Sequence, residues 1–194
     1  MRTFLALLMV LAVAVPALAG DNPQVRAYID FDPPNYVHRH DTVAPYEQVH
    51  AFLMVDCIPG GSTGISAEVQ IQAGLSIMSS YVLRAGMLED TPGALITPGG
   101  VTLAGSCDMS DPQWLADITL LVPSDVTAGT VMIVDSTVYP REHTDCHLPF
   151  ATVDPYCVLS HGGVNMDPPP SGEDCTCGSA VEESSWGTIK AMYK

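Results

Sequence analysis

The side chains of this 194-residue sequence whose spacing most invites chemistry are its six cysteines and six histidines. The cysteines are Cys57, Cys107, Cys146, Cys157, Cys175 and Cys177. An even number of cysteines in an exported chain reads as a disulfide framework, although spacing alone does not choose among the pairings. The expected bridges join Cys57 to Cys107, both at strand ends, and Cys146 to Cys157 within one loop. Cys175 and Cys177 are separated only by Thr176. A bridge between them would be strained, and the other use of two adjacent thiols is a soft metal site.

The histidines that could hold zinc are His38, His40, His143 and His147. His38 and His40 project the same way from an extended segment, as two ligands of one ion must. His143 and His147 would meet only on a helix, and Pro140 and Pro149 leave little room for one. Glu142 precedes His143, so there is no H-E-x-x-H. The competing reading is loop histidines in water. For calcium, Asp30 with Asp32 and Asp108 with Asp111 are the acidic pairs. No D-x-D-x-D-G loop accompanies them, which favours a solvated acidic surface. Ser160-His161-Gly162-Gly163 is similar to the oxyanion segment of esterases, but no G-x-S-x-G elbow is present, and the glycines more simply make a turn. Walker and dinucleotide fingerprints are absent as well. The expectation is a protein that is not an enzyme and has no cofactor, with zinc and calcium the ions to test.

The elements that would position these groups are strands. Ile65, Ala67, Val69 and Ile71 alternate with Ser66, Glu68 and Gln70, the period of a strand with one face in a core. After Gly74 the same parity resumes through Leu83. Val25 to Phe31, Val49 to Val55, Val101 to Gly105, Trp114 to Val122 and Thr130 to Val138 repeat the pattern, and Val164 to Met166 can add an edge strand. Phe52 and Met54 lie on the second face of their strand, which marks it as central and covered on both sides. Residues 36–45, 86–100 and 140–163 read as loops. About eight strands with regular turns and no amphipathic helix between them predict an all-β antiparallel sandwich or jelly roll.

Residues 1–19 form a signal peptide: Arg2, the apolar run Phe4 to Val15, and Ala17-Leu18-Ala19 as the cleavage pattern. That run is too short to span a bilayer. Its removal takes one cation and no acid, so the net charge moves from −15 to 6 − 22 = −16. Such an excess of acid argues against nucleic acid as a partner. The sandwich domain is expected over 20–166, a flexible linker over 167–181 and a short helical tail over 182–194. Ser184 or Ser185 can cap that helix, and Glu182 and Glu183 suit its first turn. Trp186, Ile189 and Tyr193 then share a stripe, with Lys190 and Lys194 near its end.

Two resemblances attach to these residues. GISAEVQIQAGLSI, LADITLLV and GTVMIV are laid out across residues 24–138 in a way similar to cohesin-type β-sandwiches. The closing Trp186-Gly187-Thr188-Ile189-Lys190-Ala191-Met192-Tyr193-Lys194 resembles a W-G-x-[IV]-K-x-x-[YF]-[RK] ending on secreted hypothetical proteins of uncultivated bacteria, with Lys194 where arginine is usual. The second resemblance implies a C-terminal address or docking element. Together with the residue-level reading, they imply a secreted or cell-surface binding or adhesion module. Its partners would be protein or carbohydrate at the cell surface, and export or attachment machinery through Trp186, Ile189, Lys190 and Tyr193. The alternatives are a structural subunit that assembles through strand edges and a metal-dependent hydrolase built on the four histidines. Export of the full-length chain should yield a mature protein beginning at Gly20. Intact-mass measurement of the secreted product checks this, and retention of residues 1–19 would refute it.

Overall fold

The computed structural model describes residues 24–33, 38–71, 75–77, 81–124, 128–146 and 153–177. Two sheets face each other across one apolar core. The first is built from β1 (Arg26–Asp30), β3 (Gln48–Asp56), β5 (Ser76–Ile77), β6 (Val82–Leu83), β9 (Gln113–Leu121) and β13 (Cys157–Ser160). Its order is β13-β1-β3-β9, with β5 and β6 both on β9. The β1–β13 pair is parallel and the other pairs in this sheet are antiparallel. The second sheet holds β2 (His40–Asp41), β4 (Ser62–Ile71), β7 (Met87–Glu89), β8 (Val101–Asp108), β10 (Gly129–Val134), β11 (Glu142–Thr144), β12 (Val153–Pro155) and β14 (Gly162–Val164). Here β4 is central: β8 and β11 flank Ile65 on opposite sides, and β10 continues along β4 from Glu68 to Ile71. The architecture is the all-β sandwich expected.

The core follows from alternation. Val49, Ala51, Leu53 and Val55 of β3 point inward to meet Ile65, Ala67 and Val69 of β4, and all seven are buried. Burying a Leu or Ile side chain contributes roughly 1.5–3 kcal/mol, so the facing rows hold the sheets together without directional bonds. The polar side of β4 is not simply wet. Ser66 and Glu68 are buried: Ser66 pairs hydroxyls with Thr102 at 3.0 Å, and Glu68 accepts the Gly99 amide at 2.9 Å.

Several expectations are corrected here. The chain does not resume β4 after Gly74. β5 and β6 belong to the opposite sheet, because both pair with β9. Residues 86–100 contain β7 and a 3-10 turn at Ala94–Ile96 that buries Leu95 in the core. The expected 140–163 loop supplies β11, β12, β13 and part of β14, short strands whose periodicity is too brief to read from sequence. Within the expected 36–45 loop, His40 and Asp41 form β2.

The cysteine pairing also differs. Cys57 joins Cys177, Cys107 joins Cys146, and Cys157 joins Cys175. Cys57 and Cys107 are not partners, because the segment 171–177 returns across the first sheet and occupies the Cys57 and Cys157 positions. That segment lay within the expected flexible linker. It is instead strapped to β13: Ser171 bridges Ser160, the Glu173 amide donates to the Val158 carbonyl at 2.7 Å, and the Val158 amide donates to the Glu173 carboxylate at 3.2 Å. Residues 178–181, the end of that linker, and the tail 182–194 lie outside the described residues.

Non-reducing peptide mapping should recover the three cross-linked fragments, Cys57–Cys177, Cys107–Cys146 and Cys157–Cys175. The 120-residue separation closed by Cys57–Cys177 makes its loss the most damaging in the chain-entropy picture. Replacing both by alanine should lower stability by about 4–5 kcal/mol in a denaturant titration. A change below about 1 kcal/mol would show that this bridge does not constrain the unfolded chain as described.

Candidate functional site

The outward side chains of β3 and β9 make the most distinctive exposed surface among the described residues. Alternation that sends Val49, Ala51, Leu53 and Val55 into the core sends Gln48, His50, Phe52, Met54 and Asp56 to the opposite face, where Met54 is fully buried and the others are at least partly exposed. On β9 the same rule turns Trp114, Asp117, Thr119 and Leu121 outward. Register then sets neighbours: Met54 faces Trp114, Phe52 faces Asp117, and His50 faces Thr119. Phe52 and Trp114 meet edge to face, with centroids 6.2 Å apart and planes at 85°. His50 stacks on Phe52 at 6.2 Å, and its Nδ1 lies 2.9 Å from the Asp117 carboxylate. Val82 of β6, 61% exposed and opposite Asp117, extends the apolar surface to the next strand. At the head of the strip, Arg26 grips Asp56 with two bonds of 2.8 and 2.5 Å.

The outer face of the second sheet is different in kind. It presents Ser66, Thr102 and Gln70 rather than rings, and the 97–100 loop lies against β4. A Cβ on Gly100, whose φ is +66°, would come within 2.5 Å of the Ala67 carbonyl oxygen. Only glycine lets the loop approach that closely.

Of the expected metal ligands, the described structure separates His143 from His38 and His40. His38 and His40 sit at the surface, 3.9 Å from Asp32 and 4.0 Å from Asp167 respectively. His143 is fully buried on β11 beside Ile65, and neither ring nitrogen has a hydrogen-bond partner. Along β4, His143 faces Ile65, whereas the row containing His40 and Gly163 lies beyond Ile71. At least six residues of strand therefore separate them, roughly 20 Å at about 3.4 Å per residue, too far to share an ion. His147 lies outside the described residues. The same is true of the tail residues Trp186, Ile189, Lys190 and Tyr193. Among the described residues, the one group with metal-ligand spacing is Cys157, Glu173 and Cys175, and its two sulfurs are joined to each other.

The acidic pairs have structural tasks. Asp111 accepts the Cys57 and Ile58 amides at 3.0 and 3.1 Å, and Asp108 binds Arg84 and the Ser110 amide. Asp30 is buried and holds the Asp32 amide at 2.7 Å; burial raises its pKa. In the Ser160–Gly163 stretch, Ser160 is buried on β13 while Gly162 sits in β14. A Cβ on Gly162 would fall 2.6 Å from Ile29, so close packing requires this glycine. The nearest approach to a chemical cluster is a cleft of about 360 Å³ near Arg141, His161, Ser171 and Glu173. Its guanidinium is held by both Asp135 and Glu173, which makes it part of an ion-pair network.

No family model matches the chain, and no curated protein is similar to it in sequence. Solved structures share its fold. The seventh ScaB type I cohesin from Pseudobacteroides cellulosolvens superposes with a TM-score of 0.52 at 11% identity, covering 82% of this chain and 97% of that one. A type II cohesin domain from the cellulosome of Acetivibrio cellulolyticus gives 0.52 at 14% identity, with 76% and 98% covered. The cohesin–dockerin complex from Clostridium thermocellum gives 0.50 at 9% identity, with 73% and 97% covered. The likeness is one of fold, and it agrees with the resemblance seen in the strand layout.

The buried histidine has a measurable consequence. Burial, opposed by the Asp145 charge, lowers the pKa of His143 from 6.5 to about 4. The unfolded chain therefore takes up a proton at this site before the folded chain does. Stability should fall as the pH drops from 6.5 toward 4, by about 3 kcal/mol in total, and level off below that range. His143→Leu should flatten this part of the profile in urea titrations across pH 4–7. An unchanged slope in the variant would show that His143 does not set it.

Proposed function

We propose that the chain is a non-catalytic protein-binding module that works outside the cell, and that its contact surface is the His50–Phe52–Trp114 strip with Val82. The observation that carries this reading is the strip itself: rings held edge to face on a rigid sheet and left half-exposed. Trp and other aromatic anchors dominate the binding energy of protein contacts. The fold points the same way, since the Clostridium thermocellum neighbour is a cohesin in complex with a dockerin. The signal peptide expected over residues 1–19 and the disulfides support an extracellular setting.

A protein partner is preferred over a carbohydrate on geometric grounds. A sugar ring needs an exposed, level aromatic face, whereas Phe52 and Trp114 stand at 85° to each other. Assembly through strand edges is disfavoured at β13, where the chain's own 171–177 segment covers the edge and removes its unpaired backbone groups.

The test is binding to immobilised dockerin modules and to proteins from the culture medium, measured for the parent chain, Phe52→Ala and Trp114→Ala. Each substitution should weaken capture of the same partner about 30-fold, the effect of losing a contact worth about 2 kcal/mol. The thermal midpoint should stay nearly unchanged, because both side chains lie on the outer face. Equal capture by all three proteins would refute the strip as the contact surface.

A further inference from the structure

The disulfide Cys57–Cys177 fixes where the remaining chain leaves the sandwich. Cys57 directly follows Asp56, the last residue of the row Gln48, His50, Phe52, Met54 and Asp56, in which Met54 alone is fully buried. Its Cα is 5.6 Å from that of Cys177. Residues 178–194 therefore start at the head of the aromatic strip. Trp186 comes nine residues after Cys177, Ile189 twelve and Tyr193 sixteen. Nine residues reach up to about 30 Å when extended. The far end of the strip at His50 lies seven residues of strand from Cys57, roughly 24 Å.

The chemistry of the two parts is complementary. Residues 186–194 supply three apolar anchors, two cations in Lys190 and Lys194, and no acid. Glu182 and Glu183 precede them, so the cationic part of the segment is its last nine residues, without which the net charge of the chain is −15 − 2 = −17. The strip offers Phe52, Trp114 and Val82 as apolar surface, with Asp117 between them across the β3–β9 and β6–β9 pairs. A short tether gives such a segment an effective concentration on the order of millimolar at its own body. That favours its own strip over a second copy in dilute solution.

We propose that the C-terminal segment 178–194 docks in cis on this strip, laying Trp186, Ile189 and Tyr193 along Phe52, Trp114 and Val82 with its lysines on the acidic side. The segment is then a built-in cover of the surface. A partner that uses the strip must displace it, a corollary that rests on the binding reading above, whereas the docking itself does not.

The chain has two tryptophans, one in each half of the proposed contact. The oxidised full-length chain is labelled with 5-fluorotryptophan, and its two fluorine resonances are assigned with Trp114→Phe and Trp186→Phe. Ile189→Asp with Tyr193→Asp, in the otherwise intact chain, should shift the Trp114 resonance and increase its solvent isotope shift between H2O and D2O. Phe52→Ala should do the same to the Trp186 resonance. Both changes should be independent of protein concentration over a hundredfold range. A Trp114 resonance untouched by the tail substitutions would overturn the proposal, because the tail would then lie elsewhere or be read by another molecule. Shifts that disappear on dilution would also overturn it, assigning the contact to a second copy. No partner enters the measurement, so its failure leaves the binding reading to its own test.

Discussion

The bond between Cys57 and Cys177 joins the end of a central strand to a segment 120 residues later. Much of the surface organisation depends on it. With Cys157–Cys175 it anchors the strap that closes the edge of β13. That strand in turn pairs in parallel with β1, the first strand of the described chain. Parallel pairing is slightly weaker per residue than antiparallel pairing and needs a long connection to form. Here it joins the two ends of the described chain, where fraying would otherwise begin. Two covalent links, the Glu173 backbone and side-chain bonds, and the Arg141–Glu173 ion pair hold it together.

The two outer faces show how one alternation rule yields different surfaces. On β4 the outward side chains are Ser66 and Glu68, and both are consumed by local hydrogen bonds. On β3 they are His50 and Phe52, and neighbouring rings rather than loops surround them. The first arrangement fastens the 97–100 loop to the sheet. The second leaves apolar surface on a rigid platform, which costs solubility and is retained in proteins mainly where something covers it.

The strand body was legible because its longest strands alternate over many residues. Ile65 to Ile71 and Trp114 to Val122 each carry enough turns of the pattern to exclude a helix. The short strands β11, β12 and β13 were not legible. Three or four residues carry too little periodicity, and Tyr156 and Val158 are recognisable as core only once their neighbours are known. The disulfides escaped for a related reason: pairing is decided by which segments return to the same place, and the polar, proline-rich 167–177 stretch gives no hydrophobic sign of returning. His143 shows the limit for sites. Its place in a histidine-bearing loop made it a candidate ligand, whereas the strand it occupies turns it into the core beside Ile65. The aromatic strip had a visible trace in Phe52, which interrupts an otherwise simple alternation, but His50 and Trp114 joined it only through cross-strand register.

The strap also determines how the sandwich would carry a mechanical load. A pull applied between Gln24 and Cys177 meets a covalent path into β3 as well as the one through Cys157–Cys175 into β13. The Cys177 sulfur is joined to the end of β3, so residues 57–177 form a closed loop that tension cannot lengthen. Only the 57 − 24 = 33 residues before the bridge can pay out, about 110 Å of contour at roughly 3.4 Å each. The same stretch without the bridge would release 177 − 24 = 153 residues, about 520 Å. Under tension the oxidised protein is thus a short leash, and most of its sandwich is shielded from force by one covalent shortcut.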